Sequence, residues 1–313
     1  MNNYSQISFP AFGIQWDPAR TLELGPLVIH YYGLIIALGL MLAVLYGWKR
    51  SRQFGFKQDD ILDGVLIVVP IAIICARLYY CFFQWETYAD NPIRILYIWE
   101  GGLAIYGGVL GAVAAIAVFC KVRRLNLPAL LDLVALGFLI GQSIGRWGNF
   151  FNREAFGEET TTFLRMGLMN SLTQQITYHH PTFLYESVWN AIGFGALHLL
   201  SKKRKYDGQI ALGYCAWYGL GRAFIEGLRT DSLYIGNTDL RVSQLLAAFS
   251  CVAAVAVLLI MSFREHSQEK LFVNRVAAMQ AEEEEEDMEE AEEVVEAENA
   301  EEAEAVEDPE VQK

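Results

Sequence analysis

Apolar residues along this chain fall into seven long blocks separated by short polar segments. A bilayer core about 30 Å thick needs roughly 20 residues of α-helix to cross it, and each block approaches that length. The blocks lack the alternation of lipid-facing β-strands, and helices satisfy their own backbone groups in lipid, so helices are predicted. The predicted spans are Leu27–Trp48, Ile61–Phe83, Gly102–Lys121, Pro128–Arg146, Pro181–Leu200, Gln209–Leu228 and Leu240–Phe263.

The blocks predict an all-α fold, a polytopic membrane helical bundle of seven transmembrane helices that forms one domain over residues 27–265. Residues 1–26 lack the basic start and the continuous apolar core of a signal peptide, so an irregular or interfacial segment is expected there. The longest connection, residues 147–180, is expected to form a small extracytoplasmic cap. A passive loop is an equal alternative for it.

Basic residues divide the connections into two sets. The connections after the odd-numbered predicted helices hold most of them, which is typical of cytoplasmic loops. The N-terminus is therefore predicted outside and the C-terminus in the cytoplasm. The basic residues on the predicted cytoplasmic side are Lys49, Arg50, Arg52, Lys57, Lys121, Arg123, Arg124, Lys202, Lys203, Arg204, Lys205, Arg264 and Lys270.

Acidic residues are concentrated in the predicted cytoplasmic tail, residues 266–313. The chain has a formal net charge of −13, but residues 281–313 hold 18 acidic residues and one lysine, and the remainder carries a net charge of +4. Such a run of like charges is typical of disordered segments, so a disordered or loosely helical segment is expected from residue 281. The chain is 53% hydrophobic, which is too apolar for one soluble domain of this size.

Three arginines interrupt the apolar blocks. A charge at membrane depth costs at least a few kcal/mol, roughly 2.5 or more, so Arg77, Arg146 and Arg222 need an explanation. Ordinary explanations stay open, because Arg77 could extend from a helix end to the headgroups. Likewise, Arg222 could simply pair with Glu226 one helical turn later. If the helices alternate in direction, however, all three arginines arrive near the outer leaflet, where lipid phosphates lie.

Further polar residues are expected at the same depth. Alternating helices bring to the outer end of the bundle Tyr32, Tyr106, Asn149, His180, Glu186, Glu226 and Arg229. Glycines accompany them, and Gly107 and Gly111 have the GxxxG spacing of close helix packing. The pair Gly107-Gly108 also suits a loosened backbone whose N–H groups help to hold an anion.

The arginines indicate the kind of chemistry. A guanidinium matches phosphate oxygens with a planar fork and stays charged at any working pH, so a cluster at outer-leaflet depth predicts recognition of a phospholipid headgroup. The five cysteines lie in or beside apolar blocks without metal-ligand spacing, and the sequence contains no P-loop, HExxH or GxSxG motif. No metal or cofactor is expected, and the nucleophile should come from a second substrate.

Several motifs, in order along the chain, carry a resemblance to a known family. They are His30-Tyr31-Tyr32-Gly33, Ala76-Arg77-Leu78, Glu100-Gly101-Gly102 with Tyr106-Gly107-Gly108, Gly145-Arg146-Trp147-Gly148-Asn149-Phe150-Phe151-Asn152-Arg153-Glu154 with Gly157, His180-Pro181 with Leu184-Tyr185-Glu186, and Gly221-Arg222 with Glu226 and Arg229. From the first predicted helix to the last, the chain resembles the prolipoprotein diacylglyceryl transferases of bacteria.

The resemblance implies an enzyme of the bacterial cytoplasmic membrane that is active towards the outer leaflet. Such an enzyme transfers the diacylglyceryl group of phosphatidylglycerol to the thiol of the lipobox cysteine in a prolipoprotein signal peptide. A thioether forms and glycerol phosphate leaves, in the first step of lipoprotein maturation. The implied partners are these two substrates and membrane lipid, without nucleic acid.

The resemblance also implies roles for single residues. Arg146 and Arg222 would stabilise the charge that develops on the leaving phosphate, and Glu226 and Glu154 would orient these arginines. The catalytic candidates are Arg146, Arg222, Tyr106 and Glu226. The substrate-binding candidates are Tyr32, Arg77, Asn149, Glu154, Gly157, His180, Glu186, Arg229, Gly107 and Gly108.

Two departures from the family pattern affect these expectations. Many members carry a histidine at the position of Tyr106, and a phenol with a pKa of about 10 is a poor base at neutral pH. His30 or His180 could replace it, or a strongly positive site could lower the thiol pKa without any base. In addition, Arg153 stands where the family often has glycine.

Two other classes of protein remain as alternatives. A transporter or lipid flippase would place polar groups at the midplane and in the inner half, or would show inverted repeats with broken helices. Here the polar residues cluster on one side. A purely structural membrane scaffold would leave the buried arginines without a purpose.

Overall fold

The computed structural model describes residues 4–25, 27–230 and 241–288. Seven long helices form the bundle in this part of the chain: α1 Tyr31–Arg50, α2 Gln58–Phe83, α4 Ile105–Arg123, α5 Leu127–Asn152, α6 Thr182–Ser201, α7 Gln209–Ile225 and α8 Val242–Ser262. The short helix α3 (Trp85–Tyr88) follows α2, and a last helix, α9, spans residues 272–288.

Five of these helices, α1, α2, α4, α5 and α8, are long and apolar enough to cross a membrane. Helix α7 is shorter, with 17 residues, and α6 carries polar residues such as Glu186 and Asn190 within its 20 residues. The chain is therefore a mostly helical, multi-pass membrane protein with five clear candidate spans.

Two small β-sheets correct the all-α prediction. Strands β1 (Tyr4–Phe9), β2 (Ile14–Trp16), β5 (Met166–Asn170) and β6 (Ile176–His179) form an antiparallel sheet in the order β2-β1-β5-β6. Strands β3 (Thr21–Leu24) and β4 (Leu27–His30) form a hairpin. Short strands that pair across about 160 residues of sequence leave little trace in hydrophobic periodicity, which is why the prediction missed them.

The larger sheet joins the first residues of the chain to the long connection before α6. Its aromatic side chains pack on the last turn of α5, where Phe9 and Trp16 lie with ring centroids 6.4 and 5.7 Å from that of Phe150. Residues 4–25 are thus ordered strands and turns and not the irregular segment that was expected. We call this end of the bundle the sheet end and the opposite end, next to α9, the tail end.

Helix α5 is the centre of the bundle and packs on α1, α6 and α7. Its Leu133, Leu136 and Leu139 are at most 3% exposed and belong to the largest buried apolar cluster. Helices α2 and α4 pack on each other, and α8 packs on α7. Large apolar side chains on the outer surfaces of these helices are exposed, as expected for surfaces that contact lipid.

Small residues set the distance between α2 and α4. A Cβ atom on Gly107 would lie 2.3 Å from the Cβ of Tyr79, and one on Gly111 would lie 2.5 Å from the Cβ of Cys75. Contacts this short are impossible, so both positions require glycine. The close packing that the GxxxG spacing predicts is therefore present, and Gly107 faces α2. Anion binding by the backbone N–H groups of Gly107 and Gly108 stays a prediction.

A buried carboxylate organises the tail end. Asp132 on α5 is fully buried, and its two oxygens accept hydrogen bonds of 2.8 Å from the backbone N–H groups of Gly208 and Ala211. These N–H groups belong to the first turn of α7, where helices leave donors unsatisfied. Asp132 therefore caps α7 from a neighbouring helix and fixes where α7 starts.

The start of the tail is docked on the same end. Asp207 accepts a 2.9 Å hydrogen bond from the backbone N–H of Phe272, whose ring lies 5.2 Å from that of Phe56. From there α9 continues as a helix, so of the two alternatives predicted from residue 281, disordered or loosely helical, residues 281–288 are helical. The remainder of that prediction, residues 289–313, lies outside the described residues.

We predict that Gly107→Ala destabilises the protein by about 1–3 kcal/mol, because a methyl group there overlaps the backbone of α2. Gly108→Ala is the matched control on the same helix, since its Cβ would lie 3.5 Å from Ala76, an ordinary contact. Thermal unfolding of both variants in the same detergent measures the difference. Equal stability of the two variants would contradict this account of the α2–α4 interface.

Candidate active site

One buried carboxylate connects three arginines at the sheet end. Glu186 lies in the second turn of α6 and is 4% exposed. Its Oε2 lies 2.5 Å from Nη2 of Arg146, while its Oε1 lies 3.0 Å from Nη1 of Arg222 and 3.7 Å from Nη1 of Arg229. The arginines come from α5, from α7 and from the segment after α7, so Glu186 ties three parts of the chain together.

A second carboxylate holds Arg222 from the other side. Glu226 follows α7 in a 3₁₀ turn, and its Oε2 lies 2.5 Å from Nη2 of Arg222. Ser243 donates a 2.6 Å hydrogen bond to Oε1 of Glu226, and Arg241 donates to its backbone carbonyl oxygen. Arg222 is thus fixed between two carboxylates, and the pair with Glu226 that the spacing suggested does form.

Helix α5 extends beyond its predicted end and brings Asn149 to the same place. Because α5 continues through Arg146 to Asn152, Arg146 and Asn149 share one helix face, and their side chains meet at 3.5 Å. Nδ2 atoms of Asn149 and Asn152 each donate a 3.1 Å hydrogen bond to Oε1 of Glu154. Glu154 therefore orients the two asparagines, and Asn149 in turn contacts Arg146. The orientation of the arginines by Glu154 stays a prediction.

Tyr32 stands beside this group on the first turns of α1. Its ring lies against Gly148, where a Cβ atom would come within 2.7 Å of Cδ2. The sequence prediction that Tyr32, Asn149 and the arginines lie near one another is therefore consistent with this geometry.

We define the arginine–glutamate network as Arg146, Arg222, Arg229, Glu186 and Glu226. The side chains of the three arginines keep exposures of 21%, 15% and 12%. Guanidinium groups that remain partly exposed at the end of an apolar bundle are suited to bind an anion.

Arg77 does not join this network. Its guanidinium is 4% exposed and donates to five backbone carbonyl groups, those of Arg94, Ile95, Tyr97, Gly101 and Gly102, at 2.6 to 3.2 Å. A guanidinium has five N–H donors, so none is left for a lipid phosphate. The predicted substrate contact of Arg77 is therefore replaced by a structural role, in which it shapes the connection between α3 and α4.

The Gly101-Gly102 pair belongs to this structural role. Both residues have positive φ, and a Cβ on Gly102 would lie 2.4 Å from Nη1 of Arg77. Tyr106, on the first turn of α4, is 44% exposed. Among the described residues, no hydrogen bond or ion pair connects Tyr106 with the arginine–glutamate network.

Gly157 and His180 join the segments around the network. The N–H of Gly157 donates to the carbonyl oxygen of His180, and that of Glu158 donates to Leu228. A Cβ on Gly157 would lie 2.7 Å from the Cβ of His180. Burial lowers the pKa of His180, so its ring is neutral at neutral pH, and Nδ1 lies 3.3 Å from the hydroxyl of Tyr185.

Three residues near the site were not identified as site residues from the sequence. Ser243 and Arg241 gave no signal beyond their position at a predicted helix end. Arg153 did give one, because it replaces a frequent glycine, and its φ of 54° explains that preference. Its guanidinium points away from the network and donates to Asp17 at 2.5 Å and to the carbonyl oxygen of Pro18 at 2.8 Å.

Fold and site together define a multi-pass membrane protein with a partly buried arginine–glutamate network at one end of its helices. Comparison with known proteins gives the particular family. The family model described as "Prolipoprotein diacylglyceryl transferase" matches residues 19–260.

Curated relatives agree with this match. A protein of Halalkalibacterium halodurans is 45% identical over 75% of this chain and 83% of its own length, and one of Limosilactobacillus reuteri is 44% identical over 80% and 93%. A third, of Bacillus velezensis, is 44% identical over 77% and 90%. Each is named phosphatidylglycerol–prolipoprotein diacylglyceryl transferase. The chain belongs to the prolipoprotein diacylglyceryl transferase family, and its activity in lipoprotein maturation is that of the family.

We predict that Arg77→Lys destabilises the protein but leaves the KM for phosphatidylglycerol unchanged. An ammonium group cannot reach five carbonyls, and each buried carbonyl left unpaired costs about 1–3 kcal/mol. The matched control is Arg165→Lys on the exposed part of the cap. Thermal unfolding and lipid titration of both variants test the prediction, and a raised KM at unchanged stability would restore Arg77 as a substrate contact.

Proposed function

We propose that the arginine–glutamate network grips the phosphate of phosphatidylglycerol while the thiol of a prolipoprotein lipobox cysteine attacks the diacylglyceryl group. The meeting of the partly exposed Arg146, Arg222 and Arg229 on one buried carboxylate carries this proposal. Apolar walls around the network suit the acyl chains of the lipid.

The reaction replaces one bond by another. The sulfur of the cysteine forms a C–S bond to the terminal glyceryl carbon of the diacylglyceryl group, and the bond from that carbon to the phosphate oxygen breaks. The bonding pair leaves with glycerol phosphate, which also takes up the proton that the thiol releases. The products are a thioether and free glycerol phosphate, with atoms and charge in balance.

Each charged residue then has a defined part. Arg146 and Arg222 donate to the phosphate oxygens and stabilise the negative charge that grows as the phosphate leaves. Glu186 and Glu226 hold the guanidinium forks in position before substrate binds. Arg229 lies at the edge of the network, on the side from which the signal peptide would approach.

Neutral residues complete the site. Tyr32 and Asn149 donate hydrogen bonds to the headgroup or glycerol, and Glu154 fixes the amide of Asn149 so that its remaining N–H faces the lipid. The positive charge of the network lowers the pKa of the incoming thiol. The thiolate therefore forms without a base at Tyr106. The phenol of Tyr106 is half-exposed and suits contact with the substrate better than it suits abstraction of a proton.

We also propose seven spans, with the sheet end outside and the tail end in the cytoplasm. Helices α6 and α7 run antiparallel beside α5, and their polar residues face the network, which accounts for their lower hydropathy. The basic connections at the tail end support this orientation. Residues 27–265 then form the membrane domain in the cell membrane, with the four-stranded sheet as an extracytoplasmic cap.

We predict that Arg146→Ala and Arg222→Ala each lower thioether formation by at least about 100-fold, because each removes a donor to the leaving phosphate. Purified variants are mixed with phosphatidylglycerol and a lipobox peptide, and the modified peptide is followed by mass spectrometry. Thermal unfolding verifies that the variants fold.

The matched control is Arg123→Ala at the tail end. It removes the same charge from an exposed ion pair with Asp63. Exposed ion pairs contribute about 0–1 kcal/mol to folding stability, so this variant should fold and keep its activity. Full activity of folded Arg146→Ala and Arg222→Ala would refute the proposal that these arginines bind the phosphate.

A further inference from the structure

Two tryptophans interlock α6 and α7 just below the network. The rings of Trp189 on α6 and Trp217 on α7 are stacked, with centroids 4.4 Å apart and planes inclined by 18°. Each indole Nε1–H donates a 3.0 Å hydrogen bond to the backbone carbonyl oxygen of the other tryptophan. We call this reciprocal pair the tryptophan clasp.

Each ring of the clasp rests on a glycine of the facing helix. A Cβ atom on Gly193 would lie 2.3 Å from Nε1 of Trp217, and one on Gly221 would lie 2.1 Å from Nε1 of Trp189. In both helices the glycine follows the tryptophan by four residues, one helical turn along the same face. The two antiparallel helices therefore contact each other at two equivalent places, each formed by a tryptophan of one helix and a glycine of the other.

This arrangement fixes how α6 and α7 sit along and around each other. In an apolar interior an indole N–H has no water to bond, so it needs its protein acceptor. A shift of one residue, about 1.5 Å, would break both hydrogen bonds and would press each ring against a residue that has a Cβ. The stiff aromatic rings hold the helix backbones in one register.

The clasp lies directly beside the ion pair of the site. Glu186 precedes Trp189 by three residues, roughly 4.5 Å along α6, and Arg222 immediately follows Gly221. The ion pair between Glu186 and Arg222 spans 3.0 Å. If α7 slid along α6, the long side chain of Arg222 could still reach Glu186. The clasp prevents such a slide and keeps the backbone of Arg222 at a constant distance from Glu186.

We infer that Trp189 and Trp217 are positioning residues that align Arg222 with the phosphate of the substrate. This inference rests on the proposed role of Arg222. The tryptophans themselves lie below the network and act through the register of α6 and α7.

The test uses Trp189→Phe, Trp217→Phe and the double variant in the full-length protein. Phenylalanine keeps an apolar ring but removes the N–H donors. In the double variant we expect kcat to fall about 10- to 100-fold, because small misplacements of catalytic groups have effects of this size. KM for phosphatidylglycerol should stay within about twofold, since Arg222 keeps its charge near the bound lipid. Trp48→Phe, in the last turn of α1 at the tail end, is the control and should retain full activity.

Two readouts separate positioning from general loss of structure. The first is the exciton signal that two stacked indoles give in circular dichroism, which should disappear in the variants and persist in Trp48→Phe. The second is the same double substitution in an Arg222→Lys background. There it should lower kcat by less than about twofold, because the planar fork that the clasp aligns is already absent. A merely destabilised protein would lose the same factor in both backgrounds.

The outcomes are distinct. Unchanged kcat in the folded double variant, with the exciton signal gone, would overturn the inference, and so would an equal loss in the Arg222→Lys background. If the double variant does not fold, the single variants carry the same test. Full activity of Arg222→Ala would instead overturn the proposed function, whatever the tryptophan variants show.

Discussion

The structure depends on the burial of one carboxylate, that of Glu186, among the helices of the bundle. An unpaired carboxylate in such a place would be very unfavourable, and breaking a buried pair costs about 3–5 kcal/mol. Glu186 is stabilised because Arg146, Arg222 and Arg229 arrive from three different parts of the chain. The ion pairs among these residues fix α5, α6 and the end of α7 relative to one another.

The same residue type serves two purposes, and the exposure of its side chain separates them. Arg77 and Arg153 are 4% and 3% exposed and donate to backbone carbonyls or to Asp17, so they hold the connection before α4 and the N-terminal strands. Arg146 and Arg222 stay partly open beside carboxylates. Only the second pair retains both the charge and the space that an anionic substrate needs.

Lipid contributes little to helix association, because lipid tails are as apolar as the side chains that they meet. The bundle therefore relies on small residues and on directional polar contacts. Gly107 and Gly111 allow α2 and α4 to approach closely, Asp132 caps α7, and the indole groups of Trp189 and Trp217 join α6 to α7. Outside the bundle, where water is present, antiparallel strands close the end that holds the network.

The sequence by itself determined the helical membrane class, the approximate positions of the long helices and the family, because hydrophobic blocks and the charges within them are local signals. It also indicated the pair of Arg222 with Glu226, which are one turn apart. Tertiary structure alone decided that Glu186 is the shared partner, that Arg77 bonds to carbonyls and that residues 4–16 share a sheet with residues 166–179. Those contacts join positions far apart in the chain, and nothing in the local pattern of either segment specifies the other.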